Sequence, residues 1–216
     1  TRAGGPRQLP GHRLVAARRR SWLVLTQYYP PEVGAPQIRL SSMARELVRH
    51  GQTVEVLTGL PNYPAGRIFP EYAGRDGRAR RREVLDGVPV RRTWIYAATG
   101  RSKWKRLANY FSFTFSALFA ALFGPKPEVV FLESQPLSLG MVGVALKWLR
   151  GVPYVYNVPD LQVDVAKQLQ FIKSDRFLKV AFALENFFLR QSWKVSTVTH
   201  RFIDHFHGRG IPKQKL

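Results

Sequence analysis

The stretch that decides the fold is residues 21–59, SWLVLTQYYPPEVGAPQIRLSSMARELVRHGQTVEVLTG. Its short apolar run at 22–25 is typical of a buried parallel strand. Apolar residues then recur with helical spacing over 38–48, and Gly51 ends the predicted helix. A second apolar run at 54–58 predicts another strand. Strand, helix and strand in this order predict a βαβ unit with parallel strands.

The alternation of strands and helices continues along the rest of the chain. The Asp86-Gly87 pair between two apolar runs predicts a β-hairpin, because this pair fits a type I′ turn. Further strands are predicted at 129–132, 152–156 and 194–198, and further helices at 104–123, 137–149, 163–169, 175–191 and ending near 207. Such alternation predicts an α/β fold, a Rossmann-like parallel sheet flanked by helices. Since these sheets bind ligands at the carboxyl ends of their strands, we expect the site in the loops at 27–36, 59–67, 133–136 and 157–164.

The composition is that of a globular protein with an unusual charge. Hydrophobic residues make up 45% and charged residues 22% of the 216 residues, which argues against full disorder and against a polytopic membrane protein. The absence of cysteine excludes disulfides, thiol nucleophiles and zinc–thiolate sites. The formal net charge of +20 favours nucleic acid, anionic lipid or phosphorylated small molecules as partners. Residues 1–20 contain arginines and no acid, so we predict a flexible basic tail there and one domain over 21–216.

Four segments together resemble one enzyme family. They are QYYPPEVGAPQIRL (27–40), ARELVRHG (44–51), VEVLTGLPNYPAG (54–66) and GVPYVYNVPD (151–160). In these segments the chain is similar to the N-terminal domain of retaining, family-four glycosyltransferases, whose GT-B fold has two Rossmann-like domains. Among them it resembles enzymes of exopolysaccharide, colanic-acid and O-antigen assembly. The resemblance covers 21–216, and its specific part is the order and spacing of the Pro-Pro-Glu-Val-Gly-Ala and Leu-Pro-Asn-Tyr-Pro loops.

The resemblance implies a reaction and a location. It implies transfer of a sugar from a nucleotide-sugar to a lipid-linked saccharide, at the cytoplasmic face of the inner membrane, with no metal or other cofactor. This half of the fold would hold the acceptor and face the donor phosphates. The family's C-terminal donor domain would begin after Leu216, so we expect the chain alone to be an incomplete catalyst and that domain to be a candidate partner. One departure is the segment at 160–164, which lacks the aromatic-proline pair common in relatives.

Two loops of the predicted crevice are candidates for binding the donor phosphates and the acceptor. Gly34 and Ala35 precede a helix whose first backbone N–H groups could bind a phosphate, although Gly34 could equally serve a turn alone. Arg39 could pair with a phosphate or an acceptor carboxylate, or lie on a solvated helix face. Asn62 and Tyr63 could bind sugar hydroxyls, or form an ordinary Pro-Asn turn.

Carboxylates follow two of the predicted strands. Glu133 and Ser134 come directly after the strand at 129–132, and Asp160 follows the next strand. A carboxylate at this edge could accept the proton of an attacking hydroxyl, and we favour Asp160 over Glu133 for that role. Asp160 could instead cap a helix. The histidines lack ligand-spaced partners, so no metal site is predicted.

The predicted helix at 104–123 combines basic and aromatic residues. The candidate membrane-contact residues are Lys103, Trp104, Lys105, Arg106, Phe111 and Phe115. The apolar part at 107–123 is at the short limit for a membrane span, and the polar residues within it argue against lipid on all sides. A core helix is one interpretation, and it is the default for such a segment. An interfacial helix on an anionic membrane surface is the other, and we favour it because of the charge.

Two other classes of function remain open at this point. A nucleic-acid-binding domain would explain the charge, but the aromatic residues lie in apolar runs rather than among lysines and arginines on a strand face. A noncatalytic binding subunit would explain the incomplete resemblance. The sequence therefore favours a glycosyltransferase half, with nucleic acid an unlikely partner.

Overall fold

The computed structural model describes residues 18–74, 81–97, 99–100, 102–161, 164 and 175–216. Its strands are β1 (Ser21–Leu25), β2 (Thr53–Gly59), β3 (Arg82–Leu85), β4 (Val88–Thr93), β5 (Val129–Glu133), β6 (Tyr154–Val158) and β7 (Lys194–Thr197). Its helices are α1 (Ala35–Arg49), α2 (Pro70–Ala73), α3 (Lys103–Phe123), α4 (Gly140–Arg150), α5 (Asp175–Gln191) and α6 (His200–Gly208), with 3₁₀ turns at Leu137–Leu139 and Lys213–Lys215. Residues 1–17 of the predicted tail lie outside the described residues. The helix predicted at 163–169 also lies outside them, except for Asp164.

The strands form one mostly parallel sheet. Their order is β3-β4-β2-β1-β5-β6-β7, and every neighbouring pair is parallel except β3 with β4. At the turn of that hairpin, Asp86 and Gly87 have φ values of 50° and 79°, the left-handed conformation that a type I′ turn needs at both positions. The predicted Rossmann-like α/β fold and its hairpin are therefore confirmed. The chain runs from β1 towards one edge and from β5 towards the other, so the topological switch point lies between β1 and β5.

The sheet separates two hydrophobic cores. Leu23 and Leu25 of β1 face one core and Val24 faces the other, as the alternation of side chains along a strand requires. Helix α1 covers the Val24 side through Leu40 and Ala44, and we call it the α1 layer. The opposite core contains residues of α3, α4 and α5, including Phe113, Leu146 and Phe188. These three helices form the α3–α4–α5 layer.

Helix α4 approaches α5 closely because it begins with glycine. A Cβ added at Gly140 would overlap the ring of Phe188 on α5. The other end of α4 is capped by Gly151 at a φ of 65°, in the left-handed conformation that commonly closes a helix. The sequence predicts this end from the same glycine.

Helix α3 turns its aromatic stripe outward. Asn109, Phe113, Ala117 and Ala121 form its buried face. The exposed side chains are Phe111, Phe115, Phe119 and Phe123, with 43%, 53%, 59% and 83% of their surface exposed. One face of α3 is therefore part of the core, with Phe113 fully buried, whereas four other phenylalanines lie outside it. Within the described part of the chain, every helix is too short or too polar to cross a membrane.

Candidate functional site

The candidate site lies at the carboxyl edge of the sheet, around the switch point. Arg39 of α1 reaches the end of β5, where its Nη2 lies 2.8 Å from Oε1 of Glu133. Glu32, in the loop after β1, accepts hydrogen bonds from the loop after β2. The predicted loops at 27–36 and 59–67 are thus joined directly, and the loop at 133–136 is joined to helix α1.

The N-terminus of α1 lacks a side-chain cap. Gly34 is the N-cap residue, and the first turn contains no acidic residue. The N–H of Ile38 donates to the carbonyl of Gly34 at 3.1 Å. The N–H groups of Ala35 and Gln37 precede this first intrahelical bond. An uncapped end of a 15-residue helix presents N–H donors and the positive end of the helix dipole, which together favour an anion such as a phosphate.

Gly34 is needed for space rather than for backbone freedom. Its φ and ψ are both 170°, an extended conformation that other residues also adopt. A Cβ at this position would lie 2.6 Å from Oε1 of Gln37. Gln37 is buried, and this oxygen has no hydrogen-bond partner among the described residues. The glycine thus leaves room for the Gln37 amide, and the close approach of a phosphate to Gly34 stays a prediction.

Glu133 is a buried carboxylate held by two donors. Arg39 donates to its Oε1 at 2.8 Å, and Nδ2 of Asn157, near the end of β6, donates to its Oε2 at 2.6 Å. Burial raises the pKa of the Glu133 carboxyl, although the bond from Asn157 and the charge of Arg39 oppose that shift. The arrangement fixes Arg39, whose side chain remains 37% exposed, so that its guanidinium faces the crevice edge with donors to spare.

Asp160 and Ser134 lie at the same edge with different exposure. Asp160 is exposed, and Nε2 of Gln135 donates to its Oδ2 at 3.4 Å. Ser134 is buried, and its backbone N–H donates to the carbonyl of Asn157 at 2.9 Å. The charge of Asp160 raises the pKa of Glu133, so the two carboxylates interact electrostatically. Of the two predicted catalytic carboxylates, Asp160 is the one that solvent and ligands can reach.

Glu32 organises the loop that contains Asn62 and Tyr63. Its Oε1 accepts the backbone N–H groups of Asn62 and Tyr63, each at 2.8 Å, and its Oε2 accepts that of Tyr29 at 3.3 Å. Glu32 is buried, and burial raises the pKa of its carboxyl against these three hydrogen bonds. The loop places Tyr63 at the surface, 47% exposed, with its ring edge against Tyr28. Tyr63 is therefore accessible at this edge, and the sugar contact suggested by the sequence stays a prediction.

Asn62 belongs to a buried amide network. Its Nδ2 donates to the carbonyl of Leu60, and its Oδ1 lies 3.5 Å from Nδ2 of Asn109 on α3. Asn109 also accepts from Nε2 of Gln27 at 2.7 Å and donates to the carbonyl of Tyr96 at 2.7 Å. Helix α3 is thus tied to the loops after β1, β2 and β4. Because the Asn62 side chain is engaged inside the protein, the sugar contact predicted for it remains without direct support.

The structure brings most of the predicted site residues to one edge and adds others. Sequence reasoning missed the roles of Glu32, Asn157 and Asn109. Glu32 stands inside the Pro-Pro-Glu-Val-Gly-Ala loop, and an acid in an apolar loop was a usable signal. Asn109 was a second usable signal, because it is an amide side chain within an aromatic-rich helix. The predicted membrane-contact residues are all exposed on α3. Among the described residues, no group of three or more His, Cys, Asp or Glu could hold a metal ion.

Comparison with known proteins identifies a family and a shared fold. The model of the glycosyl transferase 4-like domain matches residues 34–216. The solved structure of a sucrose-phosphate synthase from Thermosynechococcus elongatus is similar, with a TM-score of 0.60 and 14% sequence identity over 90% of this chain and 46% of that one. The catalytic domain of starch synthase IV from Arabidopsis thaliana matches 67% of this chain and 34% of its own at 14% identity, with a TM-score of 0.48. No curated protein sequence matches the chain.

The class defined by the fold and the site is an α/β domain of the glycosyltransferase type. Because the family model matches most of the sequence, the chain belongs to the glycosyl transferase 4-like domain family. It spans about half the length of the sucrose-phosphate synthase structure, with which it shares the fold.

Proposed function

We propose that this chain is the acceptor-side domain of a retaining GT-B glycosyltransferase that moves a sugar from a nucleotide-sugar to a lipid-linked saccharide. The observation that carries the proposal is the family match over residues 34–216, together with the uncapped N-terminus of α1 at the switch point. The similarity of the motifs to exopolysaccharide and O-antigen enzymes supports a role in cell-surface polysaccharide synthesis. The location is the cytoplasmic side of the inner membrane, with the protein bound peripherally. The donor domain is a second Rossmann-like unit, in the same or another chain.

In this proposal the N-terminus of α1 faces the diphosphate of the donor. The N–H groups of Ala35 and Gln37 and the dipole of the helix stabilise the charge that develops as the anomeric carbon–oxygen bond to the diphosphate breaks. Arg39, held by Glu133 at 2.8 Å, supplies a fixed positive charge beside them. Both features are ready before the substrate arrives, which is what electrostatic stabilisation of a transition state requires.

The acceptor lies between the Tyr63 loop and Asp160. The acceptor hydroxyl forms the new bond to the anomeric carbon on the face from which the diphosphate leaves, so the configuration is retained. Its proton passes to Asp160 or to the departing phosphate oxygen. Asp160 is the better acceptor of the two carboxylates because it is exposed, whereas the oxygens of Glu133 are already engaged by Arg39 and Asn157. Glu133 therefore acts as a positioning residue for Arg39.

Nuclear magnetic resonance titration with UDP and GDP tests the phosphate site. We expect the backbone amide signals of residues 34–37 to shift on titration, and Arg39→Ala to weaken the apparent affinity several-fold. Arg45→Ala is the matched control, because Arg45 lies on the same helix and pairs with Asp86 away from the site. Shifts confined to other basic surfaces, or equal losses in the two variants, would contradict the proposed site.

A further inference from the structure

The outer surface of α3 is a continuous aromatic stripe. Phe111, Phe115, Phe119 and Phe123 recur every four residues and therefore lie along one side of the helix. The ring centroids of Phe111 and Phe115 are 6.5 Å apart, and those of Phe119 and Phe123 are 6.3 Å apart and stacked. A helix of this length is about 30 Å long. So large an exposed apolar strip marks an interaction surface, since monomeric proteins rarely leave one uncovered.

The last turn of α4 extends this surface sideways. The guanidinium of Arg150 donates to the carbonyls of Ala121 and Gly124, which fixes the end of α4 beside the end of α3. On this turn Trp148 is 63% exposed and Leu149 is 71% exposed. The exposed surface thus broadens from one helix to two, at the end of α3 that lies away from the candidate site.

The charges around the stripe select its partner. Helices α3 and α4 contain no aspartate or glutamate, whereas basic residues flank the aromatic surface at the start of α3 and at the end of α4. These basic residues are Lys103, Lys105, Arg106, Lys147 and Arg150. A second copy of the chain would bring a net charge of +20 against another +20, which opposes self-association. Aromatic side chains between basic ends match a bilayer with anionic headgroups, where the rings enter the interface and the cations remain with the phosphates.

We propose that the outer surface of α3 and the last turn of α4 form the docking face for a bilayer containing anionic lipid, with the α3 axis parallel to the membrane plane. This deepens the proposed function, on which it rests, by assigning the membrane-facing side of the domain. Asn109 ties the first half of α3 to the loops that contain Gln27 and Asn62. Docking on α3 therefore brings the acceptor side of the candidate site to the level of the lipid headgroups, where a lipid-linked saccharide presents its sugar.

Cosedimentation with vesicles tests the docking face. The vesicles contain phosphatidylcholine and phosphatidylglycerol, and pure phosphatidylcholine vesicles are the reference. We expect the double variant Phe119→Ser/Phe123→Ser to lower the partition coefficient about tenfold or more, because two exposed rings leave the interface. Ile38→Ser is the matched control, since Ile38 is 63% exposed on α1 on the other side of the sheet, and we expect it to have no effect. High salt should weaken binding of the wild-type chain.

Quenching of tryptophan fluorescence by brominated lipid tests the orientation. We expect Trp104→Phe and Trp148→Phe each to reduce the quenched fraction, and Trp22→Phe to leave the quenched signal unchanged, because Trp22 packs against the α1 core. Equal loss of vesicle binding in Ile38→Ser, quenching of Trp22, or tighter binding to duplex DNA than to vesicles would overturn the proposal. So would a dimer that Phe119→Ser/Phe123→Ser dissociates. The UDP and GDP titration is done without vesicles, so its outcome is independent of docking and judges the proposed function separately.

Discussion

The two helical layers of this domain differ on their outer surfaces although their inner surfaces are alike. Each packs apolar residues against its side of the sheet, α1 through Leu40 and Ala44 and α3 through Phe113. The outside of α1 carries ion pairs, such as Arg49 with Glu46 at 2.6 Å, whereas the outside of α3 carries four of its five phenylalanines. Packing of the core therefore does not account for the aromatic stripe. The difference teaches that apolar periodicity in a helix can report a partner outside the domain as well as the core within it.

The layers also contribute differently to the candidate site. Helix α1 offers its N-terminus and Arg39, both of which suit an anionic ligand. Helix α3 contributes Asn109, which holds the Gln27 and Asn62 loops by hydrogen bonds. One layer thus supplies charge for the ligand, and the other supplies support for the loops.

The largest expected effect separates the two faces of α3. Phe113→Ala removes a fully buried ring from the core and should lower the free energy of unfolding by about 3–5 kcal/mol. The control Phe115→Ala, two residues away and 53% exposed, should cost far less. Urea unfolding followed by circular dichroism measures both. Similar losses in the two variants would show that α3 packs with the stripe inward and would remove the contrast between the layers.

Addition of one methyl group at the start of a helix compares the layers directly. In Gly140→Ala the new Cβ meets the ring of Phe188, so α4 or the ring must move, and we expect a loss of about 1–3 kcal/mol. In Gly34→Ala the new Cβ meets only the flexible end of Gln37, and the backbone is extended, so we expect a loss of about 1 kcal/mol or less. Thermal or urea unfolding of the pair tests this. The reverse order of stabilities would mean that the α1 end is the more tightly packed.

The sequence was sufficient for the fold because its signals were local. The apolar runs of β1 and β2, the Asp86-Gly87 turn and the glycine at 151 each indicate their own structure from adjacent residues. The face of α3 that packs against the sheet was harder to predict, because the apolar residues and the small residues of this helix both recur with helical spacing. Periodicity identifies a stripe but does not tell whether the sheet or a partner covers it.

The candidate site was predictable in position but not in its contacts. The rule that ligands bind at carboxyl ends of parallel strands located Gly34, Glu133 and Asp160 correctly at one edge. The pairing of Arg39 with Glu133 joins residues 94 positions apart, and such a contact depends on the tertiary fold. The acid at Glu32 was visible in the sequence, but its partners are backbone N–H groups of another loop, and these only the fold identifies.

A pH titration distinguishes the buried carboxylate that α1 contacts. Burial raises the pKa of Glu133 above its ordinary value of 4.5, so the folded state binds its proton more tightly than the unfolded state does. The contribution of Glu133 to stability therefore falls as the pH rises from about 4.5 through the raised pKa. Glu133→Gln removes this contribution, so the stability of the wild type relative to the variant should decline with rising pH.

Glu46→Gln is the control for that titration, because Glu46 is exposed on the outside of α1. A wild-type advantage over Glu133→Gln that grows with rising pH would mean that the bonds from Asn157 and Arg39 outweigh burial.

The smallest expected effect concerns the outer surfaces themselves. Phe115→Ser and Ile38→Ser replace exposed apolar side chains, 53% and 63% exposed, on opposite layers. Each should change the free energy of unfolding by less than about 1 kcal/mol, because most of the apolar area of these side chains is already exposed to water in the folded state. Urea unfolding of the dilute chain without lipid measures this, and the slope with urea should stay constant. If Phe115→Ser alone lowered the stability by several kcal/mol, the stripe would be a structural part of the domain. A small loss in both variants would show that the aromatic surface of α3 contributes little to folding, as expected of a surface that binds a partner.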